Sequence, residues 1–300
     1  MTEKRVLIDA DPATGIKFRD VDDGLAFLLL MASPQIHVEG ITINFGNVKA
    51  PVGFAVAKKV LEVAGMNVPV YMGAKSKNDL GKPNQAVEFL LETVRKNPGE
   101  ISLLAIAPCT NVATAVMMDS SFAGNLKELV VMGGSINFRP FSYFGEFNFH
   151  LDGKAASVVI SAPVPKTLIT MDVCAQAVFR QEHLEMIQGH NSRVTRYLSE
   201  VIPHWLNLNK KIFFRKKGFF PWDVVAAAYI IDPSLFDENL YTLKIQPEGM
   251  RAGCIQNLAK CDGVRITEGH GTVNIPIRLD SERFMEMFLK AMVQGFEPEA

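Results

Sequence analysis

Asp9, Asp11, Asp22 and Asp23 stand within fifteen residues near the start of the chain. Acids at such a density have two common uses. One is to cap a helix or to meet the positive end of its dipole. The other is to hold a cation, because like charges this close repel unless a cation or a shared proton compensates them. Capping accounts for one acid, Asp20 or Asp22, and solvated loop charges are the plain alternative for the others. Hard oxygen ligands suit Ca²⁺ or Mg²⁺, so a divalent metal site is expected at this turn. Polar and small residues recur further along, as Asn44, Gly46 and Asn47, as Thr110 and Asn111, as Met132-Gly133-Gly134, and as Asp172.

The elements around these residues explain the recurrence. Val6–Ile8, His37–Ile43, Ser102–Ala107, Leu129–Met132 and Lys166–Thr170 read as five buried strands. Helical stretches separate them over Gly24–Ala32, Val52–Ala64, Ala86–Lys96 and Val112–Met118. Such alternation predicts an α/β fold, a mostly parallel central sheet flanked by helices. Ligands of open α/β sheets bind beyond the carboxyl ends of the strands, where the polar residues fall. After Gln181 come helices over His183–Gly189 and Ser192–Leu208, a basic-aromatic loop over Lys210–Phe220, and an apolar helix over Trp222–Ile231. Short strands at Tyr241–Ile245 and Val273–Ile275 and a helix over Phe284–Val293 follow. No repeat or linker interrupts the chain, so residues 1–300 are expected to form a single domain with extra C-terminal helices.

Composition narrows the partners. The 300 residues carry 31 Lys+Arg against 32 Asp+Glu, a formal charge of −1. No global positive excess exists to hold a phosphate backbone, which argues against dedicated nucleic-acid binding. With 48% hydrophobic residues the chain is not a disordered segment, and it is long enough for a large core without disulfides. Cys109, Cys174, Cys254 and Cys261 form no C-x-x-C pair and no zinc-finger spacing with histidine, and they read as reduced thiols. Asp9 stops the apolar run Val6-Leu7-Ile8 far short of a secretory segment. No apolar stretch approaches the roughly 20 residues that cross a bilayer. A soluble, cytoplasmic protein is expected.

Five blocks together carry a family resemblance. Val6-Leu7-Ile8-Asp9-Ala10-Asp11-Pro12 with Asp22-Asp23-Gly24-Leu25-Ala26 resembles the aspartate-rich N-terminal signature of the inosine–uridine nucleoside hydrolases. Ile41-Thr42-Ile43-Asn44-Phe45-Gly46-Asn47-Val48 is similar to the second block, and Ala107-Pro108-Cys109-Thr110-Asn111 to the Gly-Pro-Leu-Thr-Asn block. Val131-Met132-Gly133-Gly134 and Glu146-Phe147-Asn148 resemble the Met-Gly-Gly and Ala-Glu-Phe-Asn blocks. Trp222-Asp223 stands where the family has its late aspartate. Each block is weak alone, and their shared order is the specific signal.

The resemblance implies a nucleoside hydrolase that splits the N-glycosidic bond. It implies a Ca²⁺ held by Asp11, Asp23, the Thr110 carbonyl and Asp223, with Asp11 taking a proton from the attacking water. Asp22, Asn148 and Asp223 would hold the ribose 2′- and 3′-hydroxyls, and Glu146 the 5′-hydroxyl. Asn47 would sit by the reacting centre and Met132 under the sugar. A homodimer or homotetramer is implied as well. The chemistry is coherent: cleavage passes through an oxocarbenium-like state that carboxylates stabilise, and a metal lowers the pKa of water.

The chain departs from the pattern at three places. Ala13–Val21 is an insertion at the mouth of the site. It is either a tolerated loop pointing away, a source of substrate contacts through Lys17, Phe18 or Arg19, or a disturbance to Asp22 and Asp23. Trp222 replaces a histidine that many members use as leaving-group acid. Indole has no labile proton near neutral pH but stacks on a base, which tilts the reading to purine nucleosides. Near Glu146, Gly145 replaces the preceding Ala. An upstream asparagine is also displaced, with Pro140 in its place and Asn137 nearby.

The other candidates read as structural. His37, His183, His190 and His270 show no partner pattern. His204 and Trp205 with the Phe213–Phe220 loop form a candidate lid, its Lys210, Lys211, Arg215, Lys216 and Lys217 a solvated face. Asp9 is expected to orient the ligand aspartates. Two rival functions are a non-catalytic relative that binds a ribosyl compound, and a haloacid dehalogenase-type phosphatase. The phosphatase pattern wants Thr or Val where Ala13 stands.

Overall fold

The computed structural model describes residues 3–137, 146–212, 218–261 and 272–296. Among the described residues nine strands form one sheet: β1 (Lys4–Ala10), β2 (Ile36–Ile43), β3 (Val70–Met72), β4 (Ile101–Ala105), β5 (Glu128–Met132), β6 (Lys166–Ile169), β7 (Leu240–Ile245), β8 (Ile255–Lys260) and β9 (Thr272–Asn274). Their spatial order is β3-β2-β1-β4-β5-β6-β9-β7-β8. The pairs from β3 through β9 are parallel, and β7 runs antiparallel to both β9 and β8. β1 pairs with β2 on one side and β4 on the other, so the connections change direction there. That change opens a crevice at the carboxyl ends of β1 and β4.

Side-chain alternation divides the strands between two apolar layers. Val6, Ile8, Leu104 and Val130 face a cluster closed by α1 (Asp22–Met31), α2 (Ala50–Ala64), α8 (Gln181–Gln188), α9 (Arg193–Ile212), α10 (Trp222–Ile231) and α11 (Ser281–Gln294). Leu7, Leu103 and Leu129 face a second cluster under α3 (Gln85–Lys96), α4 (Thr110–Met118) and α6 (Gly153–Ser161). Apolar strands with both faces covered fit a parallel sheet. Two short helices, α5 (Phe147–Leu151) and α7 (Met171–Cys174), follow the β5 and β6 ends.

The α/β architecture agrees with the expectation from sequence. Several details differ. β3 and β8 were not expected, so Lys166–Ile169 is the sixth strand in chain order. β3 is three half-buried residues between Pro69 and Gly73, too short for a period-2 signal. β8 is a mostly exposed edge strand, half of its residues polar, held by its pairing with β7. The helices α5 and α6 also escaped the sequence reading. Lys210 and Lys211 belong to the last turn of α9, where cations suit the negative helix end, instead of opening a loop. Phe213, Arg215, Lys216, Lys217 and His270 lie outside the described residues. Among the described residues no helix is long and apolar enough to cross a membrane.

Candidate active site

The β1–α1 turn and the start of α10 bring four acids to the crevice. Asp22, Asp23 and Asp223 each place a carboxylate oxygen within 4.8 Å of the others, and all three are buried. Asp11 lies beside this trio, its backbone N–H donating to Asp23 Oδ1 at 3.1 Å. The backbone N–H of Asp223 donates to Asp22 Oδ2 at 3.3 Å, which joins α10 to α1 across 201 residues of chain. Asp11 Oδ2 accepts from the Asn47 backbone N–H. Asn47 Nδ2 reaches Asp23 Oδ2 at 3.5 Å. Asp11 Oδ1 is buried with no hydrogen-bond partner among the described residues.

Burial is the first cause that raises these carboxyls, and for Asp11, Asp23 and Asp223 the charge of a neighbouring aspartate is the second. Asp11 is pushed well above the carboxylate range by desolvation and then by Asp23. Asp23 and Asp223 are pushed up by desolvation and then by Asp22. Desolvation also raises Asp22. Four buried acids that raise one another, one of them with an oxygen that no described residue partners, are the donor set that a hard divalent ion satisfies. The residues therefore fit a metal. The approach is tight: a Cβ on Gly46 would fall 2.0 Å from Asp11 Oδ2, so only glycine lets the β2 end pass this carboxylate.

The insertion leaves Asp22 and Asp23 among the site acids. It is rooted instead of loose. Thr14 Oγ1 accepts from the Gly24 N–H at 3.1 Å and donates to the Val21 carbonyl at 3.0 Å. The N-cap residue of α1, Val21, has no capping side chain, so Thr14 serves the first turn. Neither Asp20 nor Asp22 is therefore used as the cap. Tyr197 Oη on α9 donates to the Thr14 carbonyl at 3.3 Å. Asp20 hydrogen-bonds to Asp22 and is itself raised by burial and by that neighbour. The tip, residues 15–19, is exposed. Phe18 is 64% exposed, holds a left-handed φ of 64°, and has the Lys17 ammonium 5.2 Å from its ring centre.

Asp9 binds no other aspartate. It accepts from Thr42 Oγ1 at 2.7 Å, Asn111 Nδ2 at 2.8 Å and Asn44 Nδ2 at 3.4 Å, and so ties β2 and α4 to β1 beneath the site. Burial pushes it up to about 6 against these three donors. Asn44 also donates to the Pro108 carbonyl.

The opposite rim is built differently. Glu146 is the N-cap of α5 and accepts three backbone N–H groups: Asn148 at 2.7 Å, Phe149 at 3.0 Å and Gly134 at 3.0 Å. Burial raises its carboxyl while these donors pull it back. Asn148 Nδ2 donates to the carbonyls of Ile106 and Met132, both at 3.3 Å, and approaches Met132 Sδ at 3.6 Å. Met132 is buried at the β5 end. Thr110 opens α4; its hydroxyl donates to Asp152 at 2.7 Å and its carbonyl accepts from Thr114 Oγ1 at 2.7 Å. Trp222, the first residue of α10, packs 4.9 Å from the Phe220 ring.

Remaining candidates fall as follows. His183 Nδ1 accepts from the Arg180 N–H and closes a cap on α8. His37 lies 3.6 Å from Glu39. His204 is exposed, and Trp205 is part-buried with its Nε1 buried and without a partner among the described residues. All four cysteines are free. Sequence reasoning missed Thr14 as a cap, the Asp20–Asp22 contact and the Thr110–Asp152 bond. No local pattern signals contacts of this kind, except that Asp152 stands three residues before Ala155, the N–H it caps at 3.0 Å.

Buried acids thus gather at the switch point of a mostly parallel sheet, on the same end as the amides of Asn44, Asn47 and Asn148. The family model of inosine-uridine preferring nucleoside hydrolases matches residues 6–286, and the chain belongs to that family. It is thus an N-glycosyl hydrolase, and the phosphatase alternative falls. The chain is 26% identical to "Uridine nucleosidase 1" of Arabidopsis thaliana, covering 96% of this chain and 92% of that one. It is 23% identical to the pyrimidine-specific ribonucleoside hydrolase RihB of Escherichia coli O157:H7, over 99% of both chains. The solved structure of a purine-preferring ribonucleoside hydrolase from Gardnerella vaginalis shares the fold. Its TM-score is 0.83 at 22% identity, over 97% of this chain and 99% of that one.

Proposed function

We propose that the chain cleaves ribonucleosides to free base and ribose, with Ca²⁺ as its metal and purine nucleosides as its preferred class. The observation that carries the proposal is the unpartnered, buried Asp11 Oδ1 beside three further buried acids. Asp11, Asp23, Asp223 and the Thr110 carbonyl would hold the ion, which supplies a water of lowered pKa and a chelate for the sugar diol. Asp11 takes the proton of the attacking water, and the Asn47 N–H, bonded to its Oδ2, holds the carboxylate in place. Asp22, Asp223 and Asn148 receive the 2′- and 3′-hydroxyls, and their negative charge stabilises the cationic sugar. Glu146 receives the 5′-hydroxyl, and Met132 lies under the ring. Asn47 stands beside the anomeric carbon.

Trp222 has no proton to give. Its pairing with Phe220 supports a stacking surface for a wide aromatic base. The second reading, a pyrimidine preference, is favoured by the curated relatives, which are named for uridine or pyrimidine substrates. Ribose release from inosine, adenosine, guanosine, uridine and cytidine, with and without chelator, tests both. Turnover of no nucleoside, with Ca²⁺ and ribose still bound, would turn the chain into a binding relative.

Residues 1–300 are read as a single domain. The homodimer or homotetramer implied by the resemblance, and the cytoplasmic location expected from the sequence, stay with this reading. Light scattering tests the first and fractionation of the source cell the second.

A further inference from the structure

The segment that follows β5 is held from two sides. The Gly134 N–H donates to Glu146 Oε2 at 3.0 Å. The Gly134 carbonyl accepts from the Met171 N–H of α7, also at 3.0 Å. The next residues are fixed by one side chain. Asp172 Oδ2 accepts from the Ile136 N–H and Asp172 Oδ1 from the Asn137 N–H, each at 2.7 Å. Two short bonds from neighbouring peptides to the two oxygens of one carboxylate fix its orientation as well as its distance. Asp172 stands in the first turn of α7, yet its two oxygens serve the β5 segment, and the N-cap Thr170 supplies no side-chain cap. Gly134 supplies one of the three N–H groups that hold Glu146, the one that comes from outside α5, and Gly134 belongs to the stretch that Asp172 clamps.

We infer that Asp172 is a positioning residue for the 5′ end of the substrate, acting through residues 134–137 on Glu146. The inference rests on the proposed reading of Glu146 as the 5′-hydroxyl contact. It assigns Asp172 no contact with substrate. Without its carboxylate the Ile136 and Asn137 N–H groups lose their acceptor. Gly134 then holds Glu146 less firmly, and the selectivity for a 5′-hydroxyl drops while the chemistry at the anomeric carbon does not.

The test compares each nucleoside that the wild type cleaves with its 5′-deoxy counterpart, in wild type, Asp172→Ala, Asp172→Asn and Glu146→Gln. Expected is a loss of about tenfold in kcat/KM for Asp172→Ala on the nucleoside, carried by KM, and less than about twofold on the 5′-deoxy compound. Asp172→Asn keeps one acceptor oxygen and should keep part of the preference. Equal losses on both substrates in a variant of unchanged Tm would overturn the inference and leave Asp172 a structural residue. If Asp172→Ala does not fold, Asp172→Asn decides, and an unchanged preference there overturns the inference. A wild type indifferent to the 5′-hydroxyl defeats the Glu146 reading and the inference together. A preference lost in Glu146→Gln but kept in Asp172→Ala defeats the inference alone.

Discussion

The two rims of the crevice use buried carboxylates in opposite ways. At the β1–α1 turn, Asp11, Asp22, Asp23 and Asp223 lie together, and Asp11 Oδ1 has no partner among the described residues. At the β5–α5 segment, Glu146 is equally buried but receives three backbone N–H groups. The first rim has a deficit of positive charge that peptide dipoles do not fill. The second is nearly balanced by them. A rim of the first kind needs a cation to be stable in the ionised state. A rim of the second kind is complete and can add only a neutral donor such as a hydroxyl. The contrast teaches that burial alone does not define the role of an acid; the groups supplied to it do.

The strongest challenge to the contrast is Asp11→Ala. Loss of a general base costs roughly 10²–10⁴ in rate, so ribose release should fall by about a thousandfold, with little change in Tm. Undiminished turnover would remove Asp11 from the chemistry.

Chelation should next abolish turnover and expose the repulsion in the first rim. The sign is set by Asp9 and its neighbours, whose carboxyls are raised on folding. A carboxyl raised to about 6 from 3.8 binds its proton more tightly in the folded state. The stability it contributes is present below about pH 4 and is lost as pH rises through about 6. For Asp9 alone the loss is on the order of 3 kcal/mol. Denaturant midpoints of chelated protein should fall between pH 4 and pH 7, and added Ca²⁺ should restore the pH 7 value. Asp9→Asn should flatten part of that slope. A metal-free protein more stable at pH 7 than at pH 4 would contradict the charge deficit.

Glu146→Gln probes the balanced rim. It replaces one acceptor oxygen by an NH₂ that faces N–H groups, so KM should rise about tenfold with a smaller change in kcat. A kcat loss as large as that of Asp11→Ala would erase the difference between the rims. The smallest effect belongs to the insertion tip. Phe18→Gly relieves a left-handed φ worth about 1 kcal/mol and should raise Tm slightly, with KM unchanged within about twofold. A tenfold change in KM would put the tip over the substrate.

Much of the fold was legible because buried parallel strands are continuous apolar runs followed by polar residues. Val6–Ile8 and Leu129–Met132 show both signals. β8 was not legible, since Gln256, Asn257 and Lys260 give no period and the strand exists by pairing with β7. The acids were legible as a group through their density at residues 9–23. Their division of labour was not. Asp9 and Asp11 differ by two positions, yet one meets Thr42 and Asn111 and the other meets Asp23. Partners such as Asn111, 102 residues away from Asp9, leave no trace in local spacing.

By itself the sequence determined the strand–helix alternation, the family blocks and the count of acids near the first turn, because these depend on local residue type and order. Only the tertiary structure decided which acids lack a partner, that Thr14 from the insertion caps α1, and that Asp172 clamps the segment before Glu146. Each of those depends on where distant backbone N–H groups and carboxylates come to lie. A hydrogen bond acts over about 3 Å, and at that range the packing of elements, not their spacing along the chain, selects the partner.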